Sequence, residues 1–197
     1  MRKQLLLLFS LLISINSYGE VKLDFSSDTF CDQSPKAQVR DNLVYLSNQQ
    51  KPYSGENICV YLSNGQYYSQ GKIKNGLRNG TWTFWHDNGQ MDSEGNFKDG
   101  KYDGKWTSWY DNGQKLGEGN FKDAKLDGKV FYWYENGQIE SEKNYKDDLL
   151  NGKSTFWQEN GQKLTEENFK DAKLDGKQSY WYENGQIESE KNYKDDL

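Results

Sequence analysis

Asp111-Asn112-Gly113-Gln114 lies between residues 105–110 and 115–122, two runs of strand-forming residues. Asn-Gly in that setting is a strong hairpin signal. The Asn-Gly-Gln triplet also occurs at Asn64, Asn88, Asn136, Asn160 and Asn184, each 24 residues from the next. That spacing predicts six similar hairpins laid side by side. Taken alone, Asn-Gly predicts a two-residue type I′ turn with positive φ at both central positions.

The rest of the unit follows from the turn. With 104–127 as reference, strand A covers 105–110, strand B covers 115–122, and a second turn runs over 123–128. Gly80, Gly104, Gly128, Gly152 and Gly176 share one place after that turn, which calls for positive φ or close chain approach. Trp85, Trp109, Trp133, Trp157 and Trp181 form a column, with Tyr61 aligned to it in the first unit. Phe97, Phe121, Tyr145, Phe169 and Tyr193 form a second, on strand B, led by Ile73. Glu94, Glu118, Glu142, Glu166 and Glu190 alternate with that column, as do Lys98, Lys122, Lys146, Lys170 and Lys194. This is the period of a strand with one wet face. Equivalent positions in successive hairpins are about 10 Å apart, too far for the Trp rings to stack directly. Each ring must therefore pack on strand-B residues between them, with Ser69, Ser93, Gly117, Ser141 and Ser189 making room.

The fold class expected is all-β: tandem 24-residue hairpins in an elongated, twisted, single-layer antiparallel sheet. A fixed period overrides any domain count taken from the 197-residue length. Mean hydropathy is -1.10, yet 7 Trp, 14 Tyr and 9 Phe are too many aromatics for a disordered chain. Residues 121–149 and 169–197 differ only at Val130/Gln178 and Phe131/Ser179, as expected after duplication of a two-hairpin block.

Three segments precede or make up this plan. Arg2 and Lys3 followed by the apolar run 5–15 and Ser17-Tyr18-Gly19 read as a signal peptide over 1–19, with a periplasmic or secreted product. The run is shorter than the ~20 apolar residues of a membrane span, so stable insertion after cleavage is not expected. Residues 20–54 are non-repeating and read as an amino-terminal cap containing a short strand, 42–46. The hairpin array is 55–197. Losing Arg2 and Lys3 takes the net charge from -5 to -7, an unfavourable balance for nucleic acid or anionic lipid. Export permits a disulfide between Cys31 and Cys59, which would staple the cap to the first hairpin and contribute about 3 kcal/mol. Two free thiols are the alternative.

The pattern Gly-x-x-x-x-x-Tyr-x-x-Asn-Gly-Gln, then Phe/Tyr-Lys-Asp-Gly/Ala-Lys-x-x-Gly, resembles the MORN repeat in its bacterial variant form. Gly128-Lys129-Val130-Phe131-Tyr132-Trp133-Tyr134-Glu135-Asn136-Gly137-Gln138 is a close match, and Asn144-Tyr145-Lys146-Asp147 continues it. The resemblance covers about 42–197. It implies tandem hairpins in an antiparallel sheet and a non-catalytic, interaction-type role. Some bacterial members of that family are labelled antitoxins of toxin–antitoxin pairs; eukaryotic members are associated with membranes and scaffolds.

No catalytic residue is assigned. The one histidine, His86, shares its column with Tyr110, Tyr134, Gln158 and Tyr182, and reads as a strand-face residue. No nucleophile–base pair stands near it. Asp99, Asp103, Asp123 and Asp127 crowd the second turns, but Asp and Gly are ordinary turn residues and no calcium-loop pattern is present. No metal or cofactor is expected. The Trp column has two readings, packing within the sheet or a recognition strip for a protein or glycan. The expectation is a non-enzymatic, exported protein-binding or scaffold module, with self-association also open. Cell-wall or glycan binding and an antitoxin or immunity role are the alternatives.

Overall fold

The computed structural model describes residues 29–31 and 37–197; the expected signal peptide, 1–19, lies outside them. All regular elements among the described residues are strands. Fifteen of them form one antiparallel sheet whose spatial order follows the chain, from Thr29–Cys31 to Ile187–Tyr193. Six hairpins make up its length. The first pairs Gly55–Tyr61 with Tyr67–Lys74, and the second pairs Leu77–Trp85 with Met91–Lys98. The third pairs Lys101–Trp109 with Lys115–Lys122, and the fourth Gly128–Trp133 with Ile139–Lys146. Leu149–Trp157 with Lys163–Lys170 and Gly176–Trp181 with Ile187–Tyr193 complete the series.

The Asn-Gly turns differ from the type I′ expectation. Gly89, Gly113 and Gly137 have φ of 83°, 83° and 82°, but the preceding asparagines are not among the residues with positive φ. The Gly113 N–H donates to the Tyr110 carbonyl (2.9 Å) and the Tyr110 N–H to the Gln114 carbonyl (2.8 Å). This is a three-residue loop, 111–113, in which a type I turn is closed by a left-handed Gly. The cause is the asparagine side chain: Asn112 Oδ1 accepts the Gln114 N–H at 2.9 Å, an Asx turn that holds the loop from within.

Type I′ turns occur at the opposite ends of the strands. Asn75-Gly76 has φ of 50° and 81°, Asp99-Gly100 49° and 80°, and Asp123-Ala124 52° and 68°. Lys98 pairs directly with Lys101 and Lys122 with Lys125, so the second turn is two residues long and not the six expected over 123–128. Strand A accordingly starts early and carries an irregularity near its Gly. Between the pairs Phe97↔Tyr102 and Gly95↔Trp106, strand A carries two more residues than its partner, and Gly104 sits there with φ 80°.

The most buried apolar cluster lies at the amino-terminal end of the array: Val44, Ile73, Trp82 and Phe97, with Tyr53, Leu77, Phe84, Tyr102 and Trp106 against it. Val44 comes from a separate hairpin, Ala37–Arg40 with Leu43–Leu46, whose Asp41-Asn42 turn places Asn42 outside the strand expected for it. Val44 N–H donates to the Gly76 carbonyl (3.0 Å), Gly76 N–H to the Tyr53 carbonyl (2.7 Å), and Tyr53 N–H to the Val44 carbonyl (2.7 Å). A Cβ on Gly76 would stand 2.9 Å from the Leu43 Cβ, so only Gly permits this approach. Thr29–Cys31 covers the outer edge of Gly55–Tyr61, and a disulfide joins Cys31 to Cys59 where the two face each other.

Candidate interaction surface

Strand alternation divides the array into two faces. On one face, Trp82, Phe84, Phe97, Tyr102 and Trp106 touch edge to face, tilted or stacked, with centroids 4.7–6.2 Å apart. Here a large strand-A residue sits on a glycine of strand B. A Cβ on Gly71 would come within 2.3 Å of Trp82, and one on Gly95 within 1.9 Å of Trp106. Farther along, the same positions turn polar. Lys143 pairs with Ser154, and the Gln178 amide donates to Glu167 Oε1 (2.5 Å) and to the Tyr180 hydroxyl (2.9 Å). Burial lowers the Lys143 pKa against the opposing pull of Glu140 and Glu167, while its ammonium stands 4.7 Å over the Phe156 ring.

The opposite face is charged, with Trp residues near the Asn-Gly tips. Lys105 and Lys115 both reach Glu118 (2.9 and 2.8 Å), and Lys153 and Lys163 both reach Glu166 (2.7 and 2.8 Å). Lys129–Glu142 and Lys177–Glu190 continue the ladder at 2.5 and 2.6 Å. Partial burial acts to raise the pKa of Glu118 and Glu166, but the lysine hydrogen bonds outweigh it and the net shift is downward. Trp85, Trp109, Trp133, Trp157 and Trp181 are all half-buried. Their partners across the hairpin are Met91, Lys115, Ile139, Lys163 and Ile187. Trp133 stacks on Phe131 at 5.9 Å, and Tyr67 lies 5.6 Å from Trp85. Two of the five lie beneath an ammonium: Lys115 Nζ is 5.3 Å from the Trp133 centroid and Lys163 Nζ 5.4 Å from that of Trp181.

Two sequence expectations about this column need correcting. The small residues make room for a different set of rings: Ser69 and Ser93 pair with Phe84, Gly117 and Ser141 with Tyr132, and Ser189 with Tyr180. Tyr61 does not belong with the tryptophans either. Its N–H donates to the Gln66 carbonyl and its hydroxyl to the Trp85 carbonyl (both 2.8 Å), as Tyr110 does with Gln114 and Trp133 (2.8 Å each). The first loop, 62–65, is one residue longer than the others, which shifts Tyr61 one place out of the column.

Tyr61 therefore opens the row of His86, Tyr110, Tyr134, Gln158 and Tyr182, which the sequence reads only as a strand-face column. The Tyr134 hydroxyl donates to the Trp157 carbonyl (2.7 Å), and His86 Nε2 lies 3.0 Å from that of Trp109. At the same position, Gln158 Nε2 is buried without a partner. A second set of ties runs alongside: the amides of Asn64, Asn88, Asn112 and Asn136 donate to the carbonyls of Asp87, Asp111, Glu135 and Glu159, 2.6–3.3 Å away. Each of the first four hairpin tips is thus fastened to the next. The signal was present in the sequence as a hydrogen-bonding residue two places before every Asn-Gly from the second unit onward.

Between Tyr132↔Ser141 and Trp133↔Ile139 the register slips, leaving Glu140 unpaired in a bulge; Asp92 occupies the same place in the second hairpin. Burial raises the pKa of both carboxyls, moderated by Lys143 for Glu140 and by His86, 4.0 Å away, for Asp92. Burial also raises the tyrosines of the tie row, and nearby carboxylates add to it: Asp87 and Asp92 at Tyr61, Glu140 and Glu135 at Tyr110, Glu140 and Glu159 at Tyr134. Among the described residues no three His, Cys, Asp or Glu side chains converge as a metal site.

The profile described as MORN repeat variant matches residues 78–99, 102–123, 126–147, 150–171 and 174–195, more than half of the chain. The chain belongs to the MORN repeat variant family. Each match begins in strand A or two residues before it and ends in the following two-residue turn, so one MORN unit is one hairpin with its connection onward. The first hairpin lies outside the matches, consistent with its longer loop and with Val60 where the later units carry Trp. MORN repeats are non-enzymatic modules that bind proteins or membranes. Comparison with curated proteins gave no match.

Proposed function

We propose that this MORN-repeat chain is an exported, non-enzymatic module that binds another protein through the tip margin of its sheet, with Trp85, Trp109, Trp133, Trp157 and Trp181 in contact. The observation that carries the reading is the row of half-buried tryptophans, interleaved with the exposed Tyr67, Met91 and Ile187. A regular apolar row at a sheet margin is the kind of surface that marks an interaction site. Export is supported by the apolar segment 5–15 and by the Cys31–Cys59 disulfide, a bond favoured outside reducing compartments.

The test is affinity capture from an envelope fraction, comparing the natural chain with Trp109→Ala plus Trp157→Ala. Neither ring lies under an ammonium group, but each pairs across its hairpin with a ladder lysine, Lys115 or Lys163, so retention of the fold by the double variant is checked alongside. A partner retained by the natural chain and lost by a folded double variant supports the reading. Equal capture by both rejects it, and capture of peptidoglycan in place of protein favours the glycan alternative.

A further inference from the structure

The tip margin carries an uncompensated row of negative charge beside its aromatic rings. The first loop residue is acidic in every unit after the first: Asp87, Asp111, Glu135, Glu159 and Glu183. All five are exposed, and none forms an ion pair among the described residues. Asp92 and Glu140 stand behind them, and both sets act on the tyrosine hydroxyls of the tie row. The other margin mixes its charges: Lys98 and Lys101 stand with Asp99 and Asp103, and Lys122 and Lys125 with Asp123 and Asp127, while Asp147-Asp148 and Asp195-Asp196 each have one adjacent lysine. At the tips, none of the five acidic loop residues has an adjacent lysine.

The same margin already shows what chemistry its rings accept. Lys115 and Lys163 lay their ammonium groups over Trp133 and Trp181, while Trp85, Trp109 and Trp157 carry no cation among the described residues. Successive tips lie two strands apart, about 9.6 Å. An extended chain advances about 9.3 Å in three residues as polyproline II and about 10 Å as a β-strand. The spacing of the carboxylates is thus that of every third residue of an extended segment.

We propose that the partner is an extended protein segment carrying Lys or Arg at every third residue, laid along the tips with its cations between the loop carboxylates and the open tryptophan faces. This rests on the protein-binding reading above and specifies it. Attraction of opposite charge steers the segment to this margin, and the ring faces hold it through cation–π contact.

The experiment is titration calorimetry of the full chain with two 13-residue peptides of identical composition. One has lysine at positions 1, 4, 7, 10 and 13 with Ser and Gly between; the other has the five lysines contiguous. The spaced peptide should bind about tenfold tighter than its isomer, and raised salt should weaken it. Asp87→Asn, Asp111→Asn, Glu135→Gln and Glu159→Gln together should cost about tenfold or more, since several modest exposed pairs are lost at once. Asp99→Asn plus Asp123→Asn at the other margin should leave affinity unchanged. Equal affinity for the two peptides, no binding of either, or binding indifferent to the four tip substitutions overturns the proposal. If tryptophan-dependent capture of a protein persists alongside such a failure, the protein-binding reading stands and only the cationic partner falls.

Discussion

Ala124 and Ala172 occupy the left-handed region, with φ of 68° and 65°, at a position where the first and second units use Gly76 and Gly100. An L-residue there costs about 1–2 kcal/mol, partly offset by the smaller unfolded-state entropy of Ala. Ala124→Gly and Ala172→Gly should each raise stability by about 0.5–1 kcal/mol, read as an upward shift of the thermal midpoint. An unchanged or lowered midpoint would show that the turn geometry is not as described. Gln158 offers a second residue-scale case. Its amide is buried without a partner where Tyr110 and Tyr134 reach a carbonyl. Gln158→Tyr should stabilise by about 1 kcal/mol by supplying the Trp181 carbonyl with a donor, and Tyr134→Phe should cost about as much. Denaturant midpoints moving the same way in both variants would refute the tie. At this scale the sequence was legible where steric rules leave one answer, as at Gly104 and Gly152, both with positive φ. It was misleading at Asn112, because Asn-Gly does not distinguish an asparagine in the left-handed region from one whose side chain closes the loop.

Among elements, the cross-strand ladder of the charged face sets a pH dependence. Glu118 has a folded pKa below its ordinary value of 4.5 despite partial burial, owing to Lys115 and Lys105. Its contribution is therefore full above pH 4.5 and is lost as pH falls through the lowered folded value. Glu118→Gln should lower stability at pH 7 by under about 1 kcal/mol, as exposed pairs do. The difference from the natural chain should close as pH is taken below 4.5, and a gap that persists in acid would remove the ion pair as its cause. The Glu and Lys alternation that underlies this ladder could be read directly from strand B. The depth of the other face could not, because it depends on which strand-A residue meets which glycine. The near-copied blocks show why. Val130 rests against Gly119, whereas Gln178 faces Glu167 and donates to it, so the two substitutions answer different neighbours.

For the whole molecule, stability should fall off along the array. The cluster of Val44, Ile73, Trp82 and Phe97 lies at one end, while the equivalent positions beyond Val130 are Ser154 and Gln178. Arrays in which each unit touches only its neighbours open locally. Hydrogen exchange should therefore be slowest in Leu77–Trp85 and Met91–Lys98 and faster in Gly176–Trp181. Reduction of Cys31–Cys59 should release up to about 3 kcal/mol of stabilisation. The faster exchange should appear in Gly55–Tyr61 first, with Leu149–Trp157 little changed; uniform loss of protection would mean the array unfolds as one unit. The six-hairpin sheet was legible from the period alone. The docking of Val44 onto the first type I′ turn was not, since no repeat encodes it.

The ties between tips bear on how such a chain can change length. In the second, third and fourth hairpins, tyrosine or histidine reaches a carbonyl 23 residues ahead, and the loop asparagine does the same. A stray residue inserted within strand B or the connection after it would put both acceptors out of phase at once. Insertion of a complete unit disturbs neither. Growth or shrinkage by whole hairpins is thus the mechanically neutral route, and each added copy extends the tip margin by about 9.6 Å.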